Sequence, residues 1–362
     1  MKRLLALSGG GVRGIVEVAF LEAVEAAYRA RFGPDARLCD IFQLVGGTST
    51  GALIAAAVAL GHPLERVRAF YLMRARTFFA KRRWWAIGQM PVFDGAALEQ
   101  EIRKDVGDLT LGSAELKTYL AIVLKRMDTG QPWIVNNIPS APYFHDQDDA
   151  THFGNHRYQL ARLLRASTAA PTYFDQITLD VATDSAPGVF VDGGLSAYND
   201  PSLALLKLAR LRAFGLEWPA GPDNLFVLSV GTGRYRSPIA PDVAARMSPL
   251  RTAYLNLRGM LTDTELHTLT MMEWLGQSRR PAYINSELGT LEDDTLSGAA
   301  AFSFLRLDLP LDHTALNAAG VPVDARTIKA ARRIDNPDAI VPLYEITRAY
   351  IAANLDLEEL LV

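Results

Sequence analysis

Ile41-Phe42-Gln43-Leu44-Val45-Gly46-Gly47-Thr48-Ser49-Thr50-Gly51-Ala52, running on into the Ala-rich stretch that ends at Leu60, decides how this chain is read. The apolar run Ile41–Val45 reads as a strand, and Ser49–Leu60 as the helix that follows. Between them, Gly47-Thr48-Ser49-Thr50-Gly51 places a serine at a strand-to-helix junction with a glycine two residues away on each side. A turn that sharp crowds any Cβ, so Gly47 and Gly51 supply room. The helix behind it aims its first N–H groups at Ser49, where negative charge would develop during acyl transfer. Chance places G-x-S-x-G in about one chain in ten of this length. The weight therefore rests on the flanks.

Working outward toward the N-terminus, Arg3–Leu7 is a short strand candidate, followed by Ser8 and the loop Gly9-Gly10-Gly11-Val12-Arg13-Gly14. A helical pattern over Glu17–Arg31 comes next. Successive glycine N–H groups at such a turn form a nest for an anion. The loop also satisfies G-x-G-x-x-G, the dinucleotide fingerprint, which calls for an acidic residue closing the second strand. No carboxylate stands there; that strand runs straight into Ser49. An oxyanion hole serving Ser49 is the better reading.

In the other direction, Val189-Phe190-Val191 ends in Asp192-Gly193-Gly194. Alone, an Asp-Gly pair is a turn. If the two strands are parallel neighbours, Asp192 reaches the same carboxyl edge of the sheet as Ser49, where ligands gather in α/β folds.

These three motifs, in this order, resemble the patatin-like phospholipase family, whose pattern is a G-G-G-x-[RK]-G loop, a G-x-S-x-G elbow and a D-G-[GA] triplet. Ala166–Phe174 and Leu228–Gly233 also look like that family, and the likeness covers roughly residues 1–235. One departure is Ser8, where many members carry Asp. The resemblance implies a Ser49–Asp192 dyad, with Ser49 as nucleophile and Asp192 as base, needing no cofactor and no metal. It implies an oxyanion hole from the 9–14 loop and Thr50, with the N–H groups of Gly10, Gly11 and Thr50 as donors. Unperturbed Asp is a weaker base than His by about 2.6 in pKa, or roughly 3.5 kcal/mol. The site must then raise the Asp192 pKa or lean on the oxyanion hole. Arg13 would steady its loop, meet a lipid phosphate, or form an ordinary ion pair.

Two other readings compete at the residue level. A Ser-Asp-His triad would need His267 or His313, the histidines that follow Asp192; the first lies in a helical pattern and the second in a polar turn. His145, Asp146, Asp148, Asp149, His152 and His156 could suggest a metal, with His152 and His156 four apart. Their Asp-, Asn- and Gly-rich surroundings, near Pro139 and Pro142, read as a solvated loop.

Composition sets the outer bounds. The 362 residues are 49% hydrophobic and 21% charged, enough for a large core, and the net charge of −3 exerts no pull toward a nucleic-acid polymer. Cys39 is the only cysteine, so no internal disulfide exists and a reducing compartment, the cytoplasm, is expected. The apolar run after Lys2-Arg3 is too short for a signal peptide. Ala52–Leu60 would span only about 14 Å as a helix, far short of a bilayer. Membrane contact would instead be peripheral. Residues 74–85 carry five positive and no negative charges, with Lys81, Arg82 and Arg83 among Phe78, Phe79, Trp84 and Trp85. That mixture suits an anionic leaflet, although inward-packed aromatics with solvated arginines would read the same.

Further strand candidates are Tyr119–Leu124, Trp133–Asn136, Leu225–Val230 and Phe302–Leu307. Helical patterns occupy Leu64–Ala80, Tyr158–Arg165, Pro201–Arg212, Leu250–Leu275 and Pro342–Leu355; residues 237–249 read as a linker or lid. The expectation is a three-layer α/β/α fold on a mostly parallel or mixed sheet. A catalytic core over 1–235 and a mainly helical part over 236–362 would pack as one domain. The expected activity is hydrolysis of acyl esters in membrane phospholipids or glycerolipids. The alternatives are a soluble esterase or thioesterase, and a phospholipase effector of a bacterial antiphage system that needs an activating ligand or a homo-oligomer.

Overall fold

Four consecutive apolar side chains, Leu4 to Leu7, are fully buried in β1 (Lys2–Leu7). Leu5 and Leu7 join one core cluster, Leu4 and Ala6 the other. Both faces of the strand are covered, which is why it reads as an unbroken apolar run rather than an alternating one. The computed structural model describes residues 1–75, 92–147, 152–182, 185–236, 238–296, 298–356 and 360. Phe78, Phe79, Lys81, Arg82, Arg83, Trp84 and Trp85 lie outside the described residues, as do Asp148 and Asp149.

After β1 the chain passes through α1 (Gly14–Phe32), β2 (Leu44–Thr48) and α2 (Thr50–Ala59). Then come α3 (Leu64–Ala69), α4 (Gly95–Val106), β3 (Tyr119–Arg126), β4 (Pro132–Asn136) and α5 (Leu160–Ser167). β5 (Ile177–Leu179), β6 (Gly188–Asp192), α6 (Ser202–Arg210) and β7 (Leu225–Val230) follow. The last third holds α7 (Pro241–Ala245), α8 (Pro249–Leu275), β8 (Gln277–Ser278), β9 (Ser303–Leu307), α9 (His313–Ala318), α10 (Ala325–Ala331) and α11 (Ile340–Asn354).

Among the described residues the strands form one nine-stranded mixed sheet in the order β5-β6-β3-β2-β1-β7-β9-β8, with β4 also on β3. From β3 through β8 the neighbours on this path are parallel. One face packs on α1, α2, α5 and α11 through Leu5, Val45, Ile15, Ile54, Leu163 and Leu343. The other packs on α6 and α8 through Leu4, Leu44, Val227, Leu205, Leu208 and Met272. The result is three layers, α/β/α. β8 and β9 extend the sheet begun by β1, so the segment after residue 236 supplies strands to the same sheet as well as helices.

The register around β3 positions the site. Residues 121–123 pair with both β2 and β4, which therefore occupy opposite edges. β6 pairs antiparallel at Leu124–Arg126, where β4 already fills its own edge at Leu124 and Lys125. β6 must lie on the β2 side. Thr48 pairs with Val123 and Asp192 with Leu124, so β2 and β6 meet head to head along one edge of β3.

That corrects the expectation of parallel neighbours. Ser49 and Asp192 converge because one strand arrives from each direction. Other boundaries shift as well. Leu38–Ile41 is a single helical turn whose chain enters the strand only at Leu44, and β2 extends through the glycines to Thr48. The helix begun at Leu64 becomes a π-helical turn over Phe70–Arg74. Within 237–249 stands the short exposed helix α7. β5 and β8, three and two residues long, were too short to show a period.

Candidate active site

Ser49 leaves β2 with φ 55° and ψ −121°, a conformation that costs an L residue about 1–3 kcal/mol. Gly47 leaves room for the turn itself, and Gly51 for the end of β1 against it. A Cβ on Gly47 would lie 2.2 Å from the Gly51 carbonyl oxygen, and one on Gly51 would lie 2.4 Å from that of Leu7. The elbow is pinned from outside the motif. Ser49 N–H donates to Ser167 Oγ at 2.9 Å, and Ser167 Oγ–H donates to the Val123 carbonyl at 2.7 Å. Ser167 ends α5 and is fully buried.

Ser49 Oγ lies 2.6 Å from Asp192 Oδ2 and donates to it. The other oxygen, Oδ1, accepts the Gly194 N–H at 2.7 Å, and Asp192 N–H donates to the Ala169 carbonyl at 3.0 Å. Gly193 and Gly194 thus form the turn that holds the carboxylate. Asp192 is only 6% exposed, and burial pushes its pKa up to about 6, against the lowering pull of Ser49, Gly194 N–H and Arg165. That approaches the ordinary histidine value of about 6.5. Desolvation thus brings this carboxylate close to an imidazole in basicity.

The glycine loop lies against the serine. A Cβ on Gly9 would come within 3.3 Å of Ser49 Cβ and 2.4 Å of Asn199 Oδ1. The loop's own N–H groups divide into two sets. Gly9 donates to Asn199 O, Val12 to Ile334 O, Arg13 to Gly10 O, and Gly14 to Gly11 O and Val12 O. Those four amides are engaged. Among the described residues, no hydrogen bond takes the N–H of Gly10, Gly11 or Thr50. Three donors therefore remain free, Thr50 next to Ser49 at the start of α2 and Gly10 and Gly11 following Gly9 in the loop. The Gly9 carbonyl is held by Asn199 Nδ2 at 3.3 Å and Thr232 Oγ1 at 3.1 Å. Arg13 is half-buried, donates to Gly233 O at 3.2 Å and stacks over Tyr235, an arrangement that steadies the loop.

Beneath the loop, Arg306 donates to Ser8 Oγ (3.2 Å), Asp200 Oδ2 (2.8 Å) and Asp308 Oδ2 (2.9 Å). Sequence reasoning missed this network, together with Ser167 and Asn199. Ser167 lay within a stretch marked only by resemblance, and nothing near Arg306 in the chain signals partners 298 and 106 residues away.

His267 and His313 are both exposed, and neither is among the partners of the Asp192 carboxylate. Where a triad would place its imidazole, Ser49 itself sits. In the histidine-rich loop, His156 Nδ1 lies 2.8 Å from Phe144 O and His152 meets the Tyr143 ring edge to face. Among the described residues, no group of three or more His, Cys, Asp or Glu is arranged to hold a metal. Nor is any described helix long and apolar enough to cross a membrane.

A family model described as patatin-like phospholipase matches residues 5–206. Patatin-like protein 1 of Oryza sativa subsp. indica is 26% identical over 379 residues, covering 98% of this chain and 83% of that protein. A cGAMP-activated phospholipase of Vibrio cholerae is 26% identical over 328 residues, covering 86% and 83%. The structure of human GIVD cytosolic phospholipase A2 aligns with 99% of this chain and 59% of its own, at 12% identity and a TM-score of 0.46. With the family model spanning more than half its length, the chain belongs to the patatin-like phospholipase family of ester hydrolases.

Proposed function

We propose that this protein hydrolyses acyl esters of membrane phospholipids or glycerolipids through Ser49 and Asp192, without a metal or cofactor. Ser49 Oγ attacks the ester carbonyl as Asp192 takes its proton. The oxyanion meets the N–H groups of Gly10, Gly11 and Thr50. On collapse the ester C–O bond breaks, the lysolipid alcohol leaves with the proton, and the acyl group stays on Ser49. Water, deprotonated by Asp192, attacks the acyl-enzyme and releases a fatty acid. The observation that carries the reading is the 2.6 Å contact between Ser49 Oγ and a carboxylate raised to about 6.

The test is mass spectrometry of products from mixed bacterial lipid vesicles, with the native protein and with Ser49→Ala. Fatty acid and lysolipid should appear only with Ser49 present. Equal product from both proteins removes the proposal.

A second reading concerns activation. Two bacterial relatives, from Vibrio cholerae and Escherichia coli, bear the name cGAMP-activated phospholipase at 26% and 27% identity. On that likeness, the same hydrolase would work at the cytoplasmic membrane surface only once a cyclic dinucleotide is bound. Protein inert on vesicles until the dinucleotide is added supports this reading, and full activity of the purified protein alone excludes it.

A further inference from the structure

The first half of α8 carries large apolar side chains that are mostly exposed. Leu250 is 86% exposed, Tyr254 60%, Leu257 65% and Met260 60%. On a helix, positions 250, 254, 257 and 261 fall along one stripe, with Met260 at its margin. α7, just before it, adds Val243, also exposed. The cause is local: of the 27 residues of α8 only Thr268, Leu269, Met272 and Glu273 are buried, so the N-terminal half projects from the molecule.

Charge follows the same stripe. Between Asp242 and Asp263 the chain has no acidic residue and three arginines. Arg246 is paired with Asp242. Arg251 and Arg258 make no ion pair among the described residues, and their spacing of seven sets both along one flank of the apolar stripe.

The position matters as much as the chemistry. Glu265, on the same helix, accepts a hydrogen bond from Asn199 Nδ2, and Asn199 holds Gly9 through both its side chain and its carbonyl. Eight residues separate Glu265 from Leu257, about 12 Å along the helix. Tyr254 and Arg258 also lie within electrostatic reach of Tyr173, in the loop whose Ala169 carbonyl takes the Asp192 N–H. The exposed stripe is therefore on the catalytic side of the molecule.

We propose that the projecting half of α8 is a docking surface for an anionic lipid bilayer, seating Leu250, Tyr254, Leu257 and Met260 among the acyl chains and Arg251 and Arg258 at the headgroups. This rests on the lipid-hydrolase reading, and it names where the substrate surface meets the protein. An apolar strip flanked by unpaired arginines matches the layering of an anionic leaflet, with each basic residue worth roughly fivefold in partitioning.

The experiment is flotation of full-length Ser49→Ala protein, which leaves the lipid intact, with vesicles of phosphatidylcholine alone or mixed equally with phosphatidylglycerol. Binding to the mixed vesicles is expected to fall by at least roughly tenfold in Leu250→Ser/Leu257→Ser. Arg251→Glu/Arg258→Glu should abolish the preference for anionic over neutral vesicles. All four positions are exposed, so folding is not at risk. On the Ser49 background, the same variants should hydrolyse a soluble short-chain ester within about twofold of the parent. Failure of that ester assay in the parent counts against the catalytic reading, whereas flotation reads docking alone. Unchanged flotation of the variants overturns the proposal. So does sedimentation velocity in which the leucine variants dissociate a dimer while still binding vesicles, which would make a second copy the occupant.

Discussion

Asp192 shows how one residue's surroundings decide its chemistry. Its carboxyl is raised to about 6 chiefly by burial, and in the proposed mechanism it must be ionised to take the Ser49 proton. Hydrolysis of a soluble ester should therefore rise with pH through about 6 and level off above it, as kcat/KM profiles will show. The same shift bears on stability with a definite sign. The native state binds this proton more tightly than the unfolded chain, so its contribution is full below about 4 and is lost as pH climbs toward 6. Asp192→Asn should accordingly abolish turnover and yet stabilise the fold at pH 8, by up to roughly 3 kcal/mol. Thermal melts of the two proteins at pH 8 check this; a lower Tm in the variant contradicts it. Replacing Ser49 by Ala should reduce kcat by about three or more orders of magnitude.

Among the elements, the elbow between β2 and α2 depends on a helix far along the chain. Ser167, at the end of α5, spans from the Ser49 N–H to the Val123 carbonyl and ties the turn to β3. Ser167→Ala leaves a buried N–H without its acceptor, at a cost of about 1–3 kcal/mol. Because Ser167 positions the proposed nucleophile, the loss should appear mainly in kcat, with KM little changed; steady-state kinetics on a soluble ester separate the two. Both elbow glycines were legible as a motif, but only the crowding at Gly47 comes from within the turn; at Gly51 it comes from the Leu7 and Ser8 carbonyls, at the end of β1. Ser167 was not, because its partners are 118 and 44 residues away. The Pro241–Ala245 turn and the exposed stripe of α8 were equally hidden. An apolar helical pattern looks the same whether it is buried or projects.

Across the whole molecule, several buried acids share one tendency. Glu273, 2% exposed, is pushed up to about 7 by burial, and Glu17, fully buried, rises well above the usual carboxylate range. With Asp192, each favours the native state while protonated, so stability should decline between about pH 4.5 and 7. Exposed Asp128, Asp146 and Asp324 shift the other way, below the usual value, and act only at lower pH. The Tm should thus be higher at pH 5.5 than at pH 8, and Glu273→Gln should flatten that slope. Calorimetry at the two pH values decides the matter.

The spacing of residues in the chain determined the strand–loop–helix units, the turn glycines, the candidate hydroxyl and carboxylate, and the α/β class. Apart from Gly51, which meets the end of β1, these follow from neighbours within about one turn or one strand, where steric crowding and side-chain period act. Only the tertiary structure decided that β2 and β6 meet head to head on β3, that Gly10, Gly11 and Thr50 keep their N–H groups free, and that burial raises the Asp192 carboxyl as the proposed base requires. Strand pairing, competition for hydrogen bonds and the local dielectric belong to everything packed around a residue. No stretch of sequence contains them.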